Sequence, residues 1–295
     1  MWQEAPEDTV RSEKGSDPGT VPPEYRGHCL RCGEEHRLPN DVALARAAVD
    51  RLFHDLEHDG AFTEARRALQ ASPGKMLGVA LVETPDGRQE MLRAFSGELG
   101  GLRDWAGWVP PVLRRKDTAD LEAATLARIG ETERAMKSCD VAGAQQRLRD
   151  ALAERKATTR QQRSAEVAER VVRARQALVA ERTRLQELRD ARRQASRALS
   201  TALFDTTALT NARGERRPLR EIFVGSGIAG GTADCAIPKL LEAANTARLR
   251  PIALAEAWWG STLNGRTHGS VHGPCERKCR PILGHLLCGL ETRTR

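Results

Sequence analysis

The chain is poor in aromatic residues, with one Tyr, five Phe and five Trp in 295 residues, or 4%. A large aromatic core is excluded, and the apolar 40% must be concentrated in a few segments. No apolar run reaches the 18 or so residues that a membrane helix needs, so no membrane partner is expected. The opening MWQEAPEDTV lacks a basic stretch followed by an apolar one, so no secretory signal is expected. Proline is missing from 112 to 217, and Gly130 and Gly143 are the only glycines between 108 and 213. A stretch so free of breakers reads as helix. Seven cysteines are an odd number with two close pairs, which suits free or metal-bound thiols in a reducing, cytoplasmic setting better than a disulfide framework.

What charge there is lies unevenly. Gln145 to Ser200 hold 15 Lys+Arg against 7 Asp+Glu, a surplus of 8, so the rest of the chain carries −1 of the formal +7. Fourteen of those 15 are Arg, the exception being Lys156. Arg favours bidentate phosphate contact, which makes Arg160, Arg163, Arg170, Arg173, Arg182, Arg189 and Arg193 candidates for binding RNA. A solvated helical face laced with i,i+4 pairs explains the same composition.

Along the chain, 1–25 reads as a disordered polar tail. Residues 26–112 read as half of a body: a Cys-x-x-Cys turn, a helix from Asp41 to His58, a short helix over Thr63–Ala71, then a hairpin. The hairpin joins Lys75–Glu83 and Gln89–Ser96 through Thr84-Pro85-Asp86-Gly87-Arg88, a turn sequence between apolar runs. Residues 113–210 read as a long antiparallel helical hairpin or coiled coil. Val171, Leu178, Leu185 and Leu199 recur at seven-residue spacing with Arg192 interrupting, a helix over Leu121–Leu152 is the expected partner, and the turn is expected near 156–164. Residues 211–295 complete the body: a glycine-rich connector Gly225–Gly231, a helix over Ala233–Thr246, a strand over Leu249–Trp259 and a helix over Pro274–Leu290. The expected fold class is α+β with an α/β-like body.

Three groups of residues carry chemistry. Cys29-x-x-Cys32-Gly33 is half of a structural zinc site, or a pair of ordinary reduced cysteines, with His28 and His36 nearby. Cys275 and Cys279 are the other close pair, so Cys29, Cys32, Cys275 and Cys279 form one expected zinc set. Four-residue spacing places Cys275 and Cys279 on one face of a helix, and Cys235 stands at the start of the preceding helix, so Cys235, Cys275 and Cys279 form the alternative set. Glu256, His268 and His272 are candidates for a pocket in which a part-buried Glu256 acts as acid or base; a strand-end Glu paired with Lys or Arg is the plainer alternative.

The placement of Cys235 and Pro274-Cys275 resembles the zinc deaminases, whose signature is H/C-x-E followed by P-C-x-x-C. The order helix, β-hairpin, helix, strand, helix also resembles that fold. Two departures stand: Ile237, two after Cys235, takes the place of the proton-carrying Glu, and three residues rather than two separate Cys275 from Cys279.

A second resemblance covers about residues 40–290. It rests on Gly74-Lys75-Met76-Leu77-Gly78-Val79, Ala94-Phe95-Ser96-Gly97-Glu98-Leu99, Trp108-Val109-Pro110-Pro111 and Leu219-Arg220-Glu221-Ile222-Phe223. It continues in Asp234-Cys235-Ala236-x-Pro238-Lys239-Leu240-Leu241, Ala255-Glu256-x-Trp258-Trp259-Gly260, His268-Gly269 and Cys275-x-x-Lys278-Cys279-x-Pro281-Ile282-Leu283-Gly284-His285. These resemble the N-terminal extension of large bacterial RluA-family RNA pseudouridine synthases. In that family an isomerase domain with an Asp nucleophile in H-R-L-D follows the extension. Here His36-Arg37-Leu38 is followed by Pro39, and the chain runs only five residues past Leu290. The resemblance therefore implies a noncatalytic, RNA-associated accessory module, possessing no isomerase of its own. The alternatives are a zinc enzyme of deaminase-like fold, a synthase completed by a separate catalytic chain, and a self-associating coiled-coil scaffold.

Overall fold

The computed structural model describes residues 21–22, 24–113, 119–159 and 165–290. Its elements, in chain order, are strands β1 (Glu24–His28) and β2 (Glu35–Pro39), helices α1 (Val42–His58) and α2 (Thr63–Gln70), and strands β3 (Gly74–Glu83) and β4 (Gln89–Phe95). Helices α3 (Ala119–Lys137), α4 (Val141–Ala157) and α5 (Ala165–Thr206) follow, then short strands β5 (Ala208–Thr210) and β6 (Arg216–Pro218). Helices α6 (Leu219–Ile222) and α7 (Ala236–Thr246), strands β7 (Arg250–Gly260) and β8 (Val271–His272), and helix α8 (Arg280–Leu287) complete an α+β chain. It divides into two units, Met1–Asp117 with Phe204–Arg295, and Thr118–Leu203. The two expected halves of the body are thus one unit.

The first unit is built on a four-stranded antiparallel sheet of order β4-β3-β7-β8. Alternation along β3 explains its layers. Leu77 and Val79 enter one apolar cluster, Ala80 and Val82 the other. On the first face lie Ala45, Val49, Leu52 and Leu56 of α1, at helical spacing, against Ala253, Ala255, Ala257 and Trp259 of β7. On the second face Ile237, Leu240, Leu241 and Ala244 of α7 meet Ile282, Leu283, Leu286 and Leu287 of α8. Asp41 caps α1, accepting from the Leu44 N–H at 3.0 Å. The Thr84–Arg88 turn closes β3 onto β4, with Gly87 at φ +81°. Gly78 matters most for the site: a Cβ there would lie 2.7 Å from Ala236 Cβ, so its absence seats the first turn of α7 on β3.

The second unit holds α3, α4 and most of α5. Where one helix over Leu121–Leu152 was expected, two form. Ser138 and Cys139 turn their side chains back to the Ala135 carbonyl, and Asp140 caps a new helix by accepting from Gly143 N–H at 2.9 Å. Three contacts link these helices to α5: Glu133 with Arg192, the Asp140 N–H with Glu181, and Glu154 with Arg170. Positions rise on one arm as they fall on the other. Val167, Val171, Leu178 and Ala195 are buried along α5, while Val172 and Val179 are exposed. Among the described residues no helix is long and apolar enough to cross a membrane.

Three further expectations need adjusting. The polar tail was placed through residue 25, yet Val21 and Tyr25 are buried and β1 starts at Glu24; residues 1–20 lie outside the described ones. The last helix was expected from Pro274 but begins at Arg280, with Pro281 in its first turn where a missing N–H costs nothing. Thr158 closes α4, and the rest of the expected turn, 160–164, lies outside the described residues.

Candidate functional site

Cys235, Cys275 and Cys279 converge, their sulfurs all within 4.8 Å of one another. Cys275 Sγ and Cys279 Sγ are 3.4 Å apart. They are not on one helical face, as four-residue spacing suggested. They sit in a turn ahead of α8, whose N–H groups at Cys279 and Arg280 both bond the Cys275 carbonyl. That turn folds the two thiols toward the start of α7, where Cys235 occupies the cap position without making a side-chain capping bond. The three thiols share charge unequally. Hydrogen bonds from Cys235 and Cys279 hold Cys275 far below the usual thiol range, and bonds with Cys235 and Cys275 push Cys279 well above it. A thiolate stabilised by two neighbouring sulfurs is the start of a soft-metal donor set.

Glu256 stands beside the three thiols. It is 4% exposed, on β7, and is the cross-strand partner of both Gly78 on β3 and His272 on β8. Its Oε1 accepts from the Ile237 N–H at 3.1 Å, in the first turn of α7. Burial pushes its carboxyl up to about 8, against the bonds from the Ile237 and Ala236 N–H groups, and the Cys275 charge adds to the rise. Trp258, two positions on and so on the same face, donates from Nε1 to the Ser261 carbonyl at 2.9 Å, and the Arg266 guanidinium lies 5.7 Å from its ring centre.

The start of α7 is fixed by Lys239, whose side chain is 1% exposed. Its Nζ contacts Asp234 Oδ1 at 2.9 Å and donates to the carbonyls of Phe95 and Gly97 at 3.0 and 3.1 Å. The Gly97 N–H donates to the Asp234 carbonyl at 2.8 Å, and the Ala236 N–H to Ser96 Oγ at 3.3 Å. Cys235 is therefore held by the loop that leaves β4.

The set Cys29, Cys32, Cys275 and Cys279 does not assemble. Cys29 and Cys32 join His36 and Cys288, with all four ligand atoms within 4.8 Å of one another. The reason is α8: Cys275 and Cys279 precede it and Cys288 follows it, and its eight residues span about 12 Å at about 1.5 Å each. His36 stands beside the pair in sequence, whereas Cys288, far along the chain, was not recognised as its partner.

The pocket of Glu256, His268 and His272 forms only in part. His272 shares the Glu256 face and bonds Ser270 Oγ at 2.9 Å, with burial and Arg266 holding its pKa below the usual value. His268 instead packs tilted against Phe53 and edge-on against Trp259, at 5.1 and 4.8 Å, on the α1 side of the sheet. Of the expected RNA-binding arginines, Arg170, Arg173 and Arg193 pair with Glu154, Glu169 and Asp190. Arg182 and Arg189 are exposed with no ion pair among the described residues, and Arg160 and Arg163 lie outside them.

No protein-family model, curated protein or solved structure matches the chain.

Proposed function

We propose that Cys235, Cys275 and Cys279 hold a zinc ion and that Glu256 serves beside it as proton carrier in a hydrolytic deamination of an RNA base. The observation that carries this reading is the meeting of three thiols with one buried carboxylate. Three sulfur donors suit zinc, and three protein ligands leave a fourth position for reaction, unlike a closed structural site. Zinc held there would supply an acidified water for attack on the amino-bearing carbon, C4 of cytosine or C6 of adenine. Glu256 would carry one proton of that water to the ring nitrogen and the second to the departing amine. One water is consumed, the C–N bond breaks, a carbonyl replaces the amine, and ammonia leaves.

The order α1, β3–β4, α7, β7, α8, with ligands at the start of α7 and just ahead of α8, supports a deaminase-like body. In this reading the carboxylate missing two residues after Cys235 arrives from β7. RNA as the substrate class rests on the second unit, which we read as a helical hairpin of α3–α4 against α5, supported by the three contacts that run in opposite senses along the arms. Its net basic surface, with Arg182 and Arg189 making no carboxylate pair among the described residues, suits phosphate. Those two arginines also favour the noncatalytic reading, in which the chain is an RNA-binding accessory module like the extension of pseudouridine synthases. Incubating zinc-loaded protein with single-stranded and structured RNA separates the two. Ammonia with cytidine-to-uridine or adenosine-to-inosine conversion supports the enzyme, and binding without conversion supports the module.

A further inference from the structure

We infer that Cys29, Cys32, His36 and Cys288 form a second zinc site, structural in kind, that clamps the β1–β2 hairpin to the end of α8. Four donors, three sulfur and one imidazole nitrogen, meet within 4.8 Å, close to the spacing that tetrahedral zinc with bonds of about 2.1–2.3 Å requires. No position is left open, which suits a structural site rather than a catalytic one.

The local backbone is shaped for a metal. The Gly33 N–H donates to the Cys29 carbonyl at 2.9 Å and the Cys29 N–H to the Glu34 carbonyl at 2.8 Å, making a tight knuckle. Gly33 takes φ +77°, which lets that turn close. Across the knuckle, His36 on β2 comes within 3.0 Å of Cys32 Sγ through Nε2. Cys29, His36 and Cys288 are 1%, 4% and 0% exposed.

A second, independent observation explains how Cys288 reaches the knuckle. β1 and α8 touch backbone to backbone through two glycines. A Cβ on Gly284 would lie 1.9 Å from the His28 carbonyl oxygen, and one on Gly27 would lie 2.3 Å from the Gly284 nitrogen. Only glycine at both places lets β1 lie on the helix, and one turn later the helix delivers Cys288. Because the residues ahead of the same helix supply Cys275 and Cys279, the clamp holds the element on which the other thiols depend.

The test is zinc content of the full chain, purified without chelator. Wild type is expected to hold two zinc ions, C288S and C235S one each, and the double variant C235S/C288S none. Cobalt substituted into C235S should give the tetrahedral spectrum of a three-sulfur, one-nitrogen site, lost in C235S/H36Q. E256Q should hold two zinc ions, so failure of the catalytic reading leaves this one standing. Should C288S fail to fold, alkylation of native wild type decides: Cys29, Cys32 and Cys288 should resist until a chelator is added. Two zinc ions retained in C288S, free alkylation before chelation, or a disulfide among Cys29, Cys32 and Cys288 in the native protein would overturn the inference.

Discussion

Glu256 accepts the Ile237 main-chain N–H at 3.1 Å, so a carboxylate on β7 caps the first turn of α7. Helix starts leave N–H groups unpaired, and a side chain at the cap position ordinarily takes them. Here Cys235 holds that position and makes no capping bond, which leaves its sulfur for the thiol group. One buried side chain thus releases another for chemistry. Gly78, the β3 partner of Glu256, admits α7 close enough for this contact.

Lys239 anchors this arrangement. Substituting K239M removes the ammonium paired with Asp234 and strips donors from the Phe95 and Gly97 carbonyls. Breaking a buried pair from one side costs about 3–5 kcal/mol. Urea unfolding should show a loss of about 3 kcal/mol in the first unit, with zinc lost from the Cys235 group. A loss under about 1 kcal/mol, within the range of ordinary surface changes, would contradict the anchoring role.

Two glycine-to-alanine changes should act in opposite directions. G284A sets a Cβ against the His28 backbone, which cannot yield, and should cost at least about 3 kcal/mol or prevent folding. G130A, in α3 with only an Arg134 side-chain nitrogen 3.6 Å away, should stabilise its helix by about 0.5–1 kcal/mol. Thermal unfolding of the two variants checks both signs.

Glu242 predicts a pH effect. Burial pushes its carboxyl above the ordinary value, against the bonds it accepts from the Thr210 N–H and hydroxyl. A raised folded pKa means that the folded state keeps its proton at pH values where the unfolded state has lost it. Stability from this group is therefore full below the unfolded carboxylate pKa and falls as pH rises through the folded one. The unfolding free energy of wild type minus that of E242Q should shrink across that window. A difference that is flat or grows with pH would contradict it.

Much of this was legible beforehand. The Thr84–Arg88 turn, the α1 stripe and the β3 and β7 runs are local patterns of period and turn chemistry, and they fall where sequence put them. The grouping of the cysteines was not legible. Cys29 and Cys288 are brought together by a glycine contact between β1 and α8, which no local pattern records. Cys275 and Cys279 looked helical by spacing, but Pro281 suits a helix that starts after them. Glu256 was visible as a candidate acid or base, while its meeting with Cys235 depends on strand register. The break at Ser138–Asp140 was masked by the absence of Gly and Pro, since side-chain capping ended the helix instead.

RNA binding by the second unit should be electrostatic. Replacing Arg182 and Arg189 together by Ala should weaken binding of all RNA sequences alike. It should also reduce the slope of log affinity against log salt by about 1.4, from about 0.7 per lost contact on single strands. An unchanged slope, measured by fluorescence anisotropy, would remove these two residues from the contact surface.

The most direct test is ammonia release from RNA by zinc-loaded wild type and E256Q side by side. Gln keeps an acceptor for the Ile237 N–H, so E256Q should fold and hold zinc as wild type does, while its turnover falls by about 10²–10⁴. Equal turnover in the two proteins, or no ammonia from wild type carrying zinc at Cys235, Cys275 and Cys279, would contradict the assignment of a hydrolytic centre.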